Sequence, residues 1–263
     1  MPGDPNPGAP QPVHTAPRSS GGGAAQSWSF ALFALLTTAA IITVALAAPL
    51  LFDAVVGIIF VESQEVIAPP LVLWSHLLSF QAAVVLLTVV MAGVARGAAP
   101  TLGWRPPRGH LSWLQPFGVT IVVSAVTAAI AFAFFADIVA RDLEPVRRMI
   151  EAAPLWIAFV ALAIGAPLSE ELLFRGYLLH RLVQTRLGFW ASALIANTGW
   201  TLLHFNYSWL SLADVFLAGL LFSWALWRTK SIWVPIAFHA IYNATVFFFL
   251  LIPSSQTSVS AFW

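Results

Sequence analysis

The chain alternates long apolar runs with short polar interruptions. Uninterrupted apolar stretches run at about 28–51, 70–95, 114–138, 154–180, 189–206, 209–227 and 231–252. Each is near the roughly 20 residues that a helix needs to cross a bilayer. The pattern predicts an all-α, polytopic transmembrane helix bundle of about seven spans. The first run exceeds the 7–15 apolar residues of a signal-peptide core, so it reads as a retained helix although "ALAAP" near its end faintly resembles a cleavage site. Residues 1–26 are Pro, Gly, Ala and Ser with almost no bulky apolar side chain, and they cannot bury enough surface to offset ordering. They read as a disordered N-terminal tail, with His14 as a solvated residue. The membrane domain is then 27–253, and 254–263 is a short C-terminal tail.

Composition agrees with this pattern. Of 263 residues, 59% are hydrophobic and 9% charged, against about 25% charged in an ordinary soluble domain. Net charge is +1, so nothing points to a nucleic-acid partner. The absence of cysteine excludes disulfides, thiolate metal sites and a cysteine nucleophile. The partner that this composition implies is the lipid bilayer.

Loop charges suggest an orientation. Arg96, Arg105 and Arg108, then Arg181 and Arg186, then Arg228 and Lys230 fall in three connections on one side. Asp53, Glu62, Glu65 and the mixed segment "RDLEPVRRMIEAAP" fall on the other. The excess of cations at cytoplasmic loops places the basic connections and the N-terminus in the cytoplasm, and the C-terminus outside. The mixed segment reads as a short interfacial helix. The Ala-, Gly- and Arg-rich composition suggests a bacterial cytoplasmic membrane.

Ionisable side chains inside spans are functional candidates by default. Here they are His76, Glu170, Glu171, Arg175, His204, Asp214 and His239, with Asn197 and Asn243 as polar companions; Asp137 lies near a helix end. His76 and Asp214 read as hydrogen-bonded packing residues. Glu171 and Arg175 stand at i, i+4 and can pair along one face. Glu170 is turned about 100° away from Glu171 and is left free to face a cavity. His239 and Asn243 project together from a second helix. His204 shares a face with Trp200 and Asn197 on a third. A carboxylate base, imidazoles and an amide suit the activation of water. A continuous helix over 154–186 would be roughly 50 Å long, too long for the bilayer. Pro167 is expected to kink or break it, with Ser169 able to cap a new start just before the glutamates.

Three signatures carry a family resemblance: "EELLFR" at 170–175, Trp200–His204 and His239–Asn243. In this order they resemble the EExxxR, FxxxH and HxxxN/D signatures of the CPBP family, the CAAX-protease and bacteriocin-processing (Abi) intramembrane endopeptidases. Residues 150–250 form the corresponding catalytic core. Tryptophan at 200 replaces the usual phenylalanine, an exchange expected to touch only local packing. The resemblance implies peptide-bond hydrolysis within the membrane, with a peptide or protein substrate at the membrane as partner. It implies that Glu170, with His204, activates water, that His239 and Asn243 stabilise the oxyanion, and that Glu171 and Arg175 orient Glu170. Trp200 and Asn197 are a second tier.

Zinc or another divalent metal could be held by Glu170, His204 and His239 with an open position, or the glutamate and histidines could act without one. Substrates that go with the family are prenylated C-termini, bacteriocin-like leader peptides and sorting tails. HExxH, GxGD and GxSxG patterns are absent. The rival is a non-catalytic immunity or scaffold protein, or a transporter. A proton relay would need more intramembrane carboxylates than this chain has.

Overall fold

A computed structural model describes residues 22–60, 69–94, 102–107, 109, 112–152 and 154–252. The bulk of the expected tail (1–21), Glu62, Glu65, Arg96, Arg108 and the C-terminal 254–263 lie outside them. The described chain is helical and contains no strand. Its helices are α1 (Gly22–Ala45), α2 (Ala48–Phe60), α3 (Pro69–Val94), α4 (Leu114–Glu151), α5 (Leu155–Val183), α6 (Gly188–Leu202), α7 (Trp209–Thr229) and α8 (Trp233–Leu250). The first turn of α1 thus takes in residues read from sequence as tail.

Among the described residues, six helical stretches are long and apolar enough to cross a membrane: 27–56 (α1 with α2), α3, α4, α5, α7 and α8. The seventh expected span is present as α6, but at 15 residues it is short. The turn that follows it carries His204.

Two sets of contacts fix the ends of the bundle. At one end Arg228 donates to Gln115 (2.7 Å), Arg105 to the Lys230 carbonyl (2.6 Å) and the Arg186 N–H to Ser27 (3.0 Å). The basic connections therefore gather at the end where α1 begins. At the other end His76 meets Asp53 at 2.7 Å, and Arg147 donates to the Leu250 carbonyl at 2.7 Å.

The mixed segment does not form a separate helix. It continues α4 beyond a kink at Phe135 (φ −139°, ψ 28°). Leu143, Val146, Met149 and Ile150 of this arm pack against Trp74, Phe247 and Leu250. Asp142 accepts hydrogen bonds from the Ser208 N–H and from the Ser208 and Ser211 hydroxyls. The arm is thereby tied to the turn between α6 and α7.

Helix α5 runs through the middle of the bundle, touching α1, α3, α6 and α8. Ala193, Ala196, Ala218 and Ala225 are buried where α6 and α7 approach. Small residues permit that approach, which matters because lipid supplies no hydrophobic drive for helix association.

Of the kink or break expected at Pro167, the break does not occur. The helix is continuous, and two π-helical stretches, Val160–Gly165 and Glu171–Leu179, flank the short α-helical piece Ala166–Glu170. Proline lacks an N–H and its ring crowds the carbonyl four residues back. A wide turn directly before it relieves the crowding without ending the helix. Ser169 is accordingly no N-cap: its hydroxyl donates backward to the Gly165 carbonyl at 2.8 Å. Wide turns also fit more residues into a given length, which eases the mismatch with the bilayer.

Candidate active site

The site grows outward from α5. Glu171 and Arg175 make the i, i+4 pair that the spacing allows, Arg175 Nη1 to Glu171 Oε1 at 3.1 Å, with both side chains fully buried. The same Glu171 oxygen lies 3.0 Å from His239 Nδ1. A carboxylate only accepts, so Nδ1 carries the hydrogen and Nε2 is directed elsewhere. It is directed toward Glu170, whose Oε2 is 4.0 Å away.

Arg175 is held from the other side as well. Its Nη2 donates to Asn197 Oδ1 at 3.0 Å, and Asn197 Nδ2 donates to the Phe216 carbonyl at 2.7 Å. The guanidinium carbon lies 4.3 Å from the centre of the Trp200 ring. Such a cation over an indole face is favourable, the more so away from water. Phe222 stacks on His239 with ring centres 5.1 Å apart.

Glu170 differs from its neighbour in every respect. Its side chain is 24% exposed, whereas that of Glu171 is 0% exposed. It forms no pair with Arg175. Trp200 Nε1 donates to its Oε2. The exchange of phenylalanine for tryptophan at 200 therefore does more than alter packing: it adds an N–H bond to this carboxylate that a phenyl ring has no group to make.

The remaining candidates sit at varying distances from this centre. His204 Nδ1 lies 3.1 Å from the Trp200 carbonyl, and its ring contacts the indole. No hydrogen bond or ion pair joins His204 to Glu170, so among these residues it reaches the glutamate only through Trp200. Helix α6 ends at Leu202, so His204 stands in the turn beyond it. Asn243 donates to the Leu162 carbonyl of α5 at 2.9 Å. His76 pairs with Asp53 far from the site, and Asp214 accepts from the Tyr242 hydroxyl, linking α7 to α8. The Asp137 carbonyl accepts from Arg141 on the α4 arm.

Residues 152–245 match the family described as type II CAAX prenyl endopeptidase Rce1-like. This segment of the chain is similar to that family. The match bears out the resemblance drawn from the three signatures, and the Rce1-like segment spans α5 to α8 with every candidate site residue. No curated protein and no solved structure matches the chain.

The donor set named for a metal does not fit as placed. Among the described residues no three His, Asp or Glu side chains stand where one ion would reach them. The atoms left over, His239 Nε2, His204 Nε2 and Glu170 Oε1, do not form a group that could hold one ion.

Sequence reasoning missed several residues of the Rce1-like core and its surroundings. Gly219 lies where a Cβ would fall 1.7 Å from Asn197 Oδ1 and 2.6 Å from Arg175 Nη2, so α7 must present glycine there. Phe222, one turn later, gives no signal among many phenylalanines. Tyr207 follows His204 with ring centres 5.8 Å apart. Burial, then the negative charges of Glu170 and Asp142, push its phenol above the usual value of 10, which keeps it a protonated donor.

Proposed function

We propose that the chain is an intramembrane endopeptidase in which Glu170 is the general base. The observation that carries this reading is the asymmetry of the two glutamates. Glu171 is held by Arg175 and His239, while Glu170 is partly open and faces His239 Nε2 across 4.0 Å. That separation is too long for a direct hydrogen bond and suits a bridging water.

In this reading Glu170 takes one proton from the water as its oxygen bonds to the scissile carbonyl carbon. Negative charge develops on the carbonyl oxygen. Asn243 on α8 is placed to meet it with the second amide hydrogen beyond the one given to Leu162, and His239 joins it as an imidazolium, with Nδ1–H on Glu171 and Nε2–H toward the oxyanion. Collapse breaks the C–N bond, and Glu170 passes its proton to the leaving nitrogen. Glu171 and Arg175 fix His239 and the backbone that carries Glu170. Trp200 aims the carboxylate, and His204 supports Trp200. No step is routed through a metal.

The substrate is a peptide at the membrane, cleaved near a terminus; a prenylated C-terminus is the class that the family description names. The basic end of the bundle faces the cytoplasm in this proposal, by the distribution of loop cations. The test uses purified protein in proteoliposomes and a fluorescent prenylated peptide with a CAAX ending. Glu170→Ala is expected to lower cleavage by at least about 100-fold, the scale of a lost general base, with unchanged thermal unfolding. Full activity of that variant would sink the mechanism. Dialysis of the parent protein against a chelator is expected to leave kcat unchanged, and loss restored by added zinc would reinstate a metal. Comparing protein termini in membranes with and without the gene identifies the natural substrate.

A further inference from the structure

Gln81 is an amide in the middle of α3, inside the apolar stretch "HLLSFQAAVVLL". It lies outside the Rce1-like segment and is 5% exposed. A polar group placed there needs a reason, since burial without full partnering is unfavourable. Its Nε2 donates to the Ala161 carbonyl at 3.1 Å. Its Oε1 accepts no hydrogen bond and lies against Gly165, where a Cβ would fall 2.1 Å from it.

Ala161 and Gly165 both belong to the π-helical turn Val160–Gly165 that precedes Glu170. The Ala161 carbonyl also accepts the Ala166 N–H, the bond that makes the turn wide. The next carbonyl, Leu162, receives Asn243. Two amides, one from α3 and one from α8, thus grip consecutive carbonyls of the same turn. Such turns interrupt an α-helix at a cost and recur at functional sites. This one sets the rotation of everything after it, Glu170 first.

We propose that Gln81 is a positioning residue for the reaction: by holding the wide turn through Ala161, it sets the direction in which Glu170 points. The proposal rests on Glu170 as the base. Gly165 is its counterpart, the position that must lack a side chain for the amide to reach its carbonyl.

The experiment uses the full chain in proteoliposomes with the prenylated peptide. Gln81→Leu keeps the approximate volume and removes the donor. The expected result is a kcat lower by about 10- to 100-fold, the scale of a small misplacement of a catalytic group, with unchanged KM. Backbone hydrogen exchange should rise at 160–166, at the Ala166 amide above all, and remain unchanged in α6 and α7. A purely structural link between α3 and α5 would lower the melting temperature and leave kcat alone, and that result overturns the proposal.

A second pair of variants keeps the test decisive if Gln81→Leu folds poorly. Gly165→Ala should displace the amide and lower kcat, and Gly165→Ala with Gln81→Ala should lose less than the two single effects combined. Strict additivity overturns the proposal. The exchange and coupling measurements do not depend on the identity of the base, so full activity of Glu170→Ala would overturn that assignment separately.

Discussion

Helices α4 and α5 are both long and apolar, yet they occupy opposite situations. In α4 only 6% of the apolar window is buried within the protein; in α5 the share is 50%. Hydropathy does not distinguish them in the expected direction, because α4 is the more apolar of the two (mean hydropathy 2.4 against 1.7). In water the more apolar helix would be central. In a bilayer lipid covers apolar surface as well as protein does, and what must be sheltered is polarity. Helix α5 is central because it carries Glu170, Glu171 and Arg175, which lipid does not solvate.

The contrast can be broken most forcefully at Arg175. Arg175→Met leaves the Glu171 carboxylate buried without its cation and should cost about 3–5 kcal/mol, read as a large drop in melting temperature in detergent. The double variant Glu171→Gln/Arg175→Met should recover part of that loss. If the single variant melts with the parent, the charges are not what keeps α5 inside.

Next in size is Trp200→Phe. It removes one hydrogen bond to a charged group, about 1.5–3 kcal/mol, and should lower kcat by about 10- to 100-fold with little change in melting. Unchanged turnover would mean that the indole serves packing alone. Gly219→Ala drives a methyl group into the Asn197–Arg175 contact and should cost about 1–3 kcal/mol, measured by thermal unfolding. Smallest is Val122→Ala on the exposed face of α4, expected to stay within about 0.5 kcal/mol. A larger effect there would show that α4 packs against something besides lipid.

The same contrast explains what the sequence made legible. Charges in an apolar chain are conspicuous, so Glu170, Glu171, Arg175 and His239 stood out, and spacing alone predicted the Glu171–Arg175 pair. It could not predict the direction of Pro167's effect. Hydropathy gives the same profile for a broken helix and for one that widens its turn, and the amides that meet this turn, Gln81 and Asn243, come from other helices. The kink at Phe135 has neither proline nor glycine beside it to announce it. Gly219 and Gly165 are needed only because a particular side chain from another helix arrives there, and single-chain periodicity carries no information about that register. His204 stands past the end of α6 because that helix is shorter than its apolar run, a boundary that composition blurs.

The clamp between Asp142 and the serines at 208 and 211 bears on how the molecule meets membranes of different thickness. The α4 arm carries exposed charges, Arg141 and Arg148 among them, that belong at the water boundary, and the clamp fastens the turn bearing His204 to that arm. The turn bearing His204 is thus moored to that boundary segment like a hull to a float. When the bilayer thins or thickens, the lipid-facing helices can tilt to follow it, while the depth of His204 below that boundary stays set by the length of the mooring.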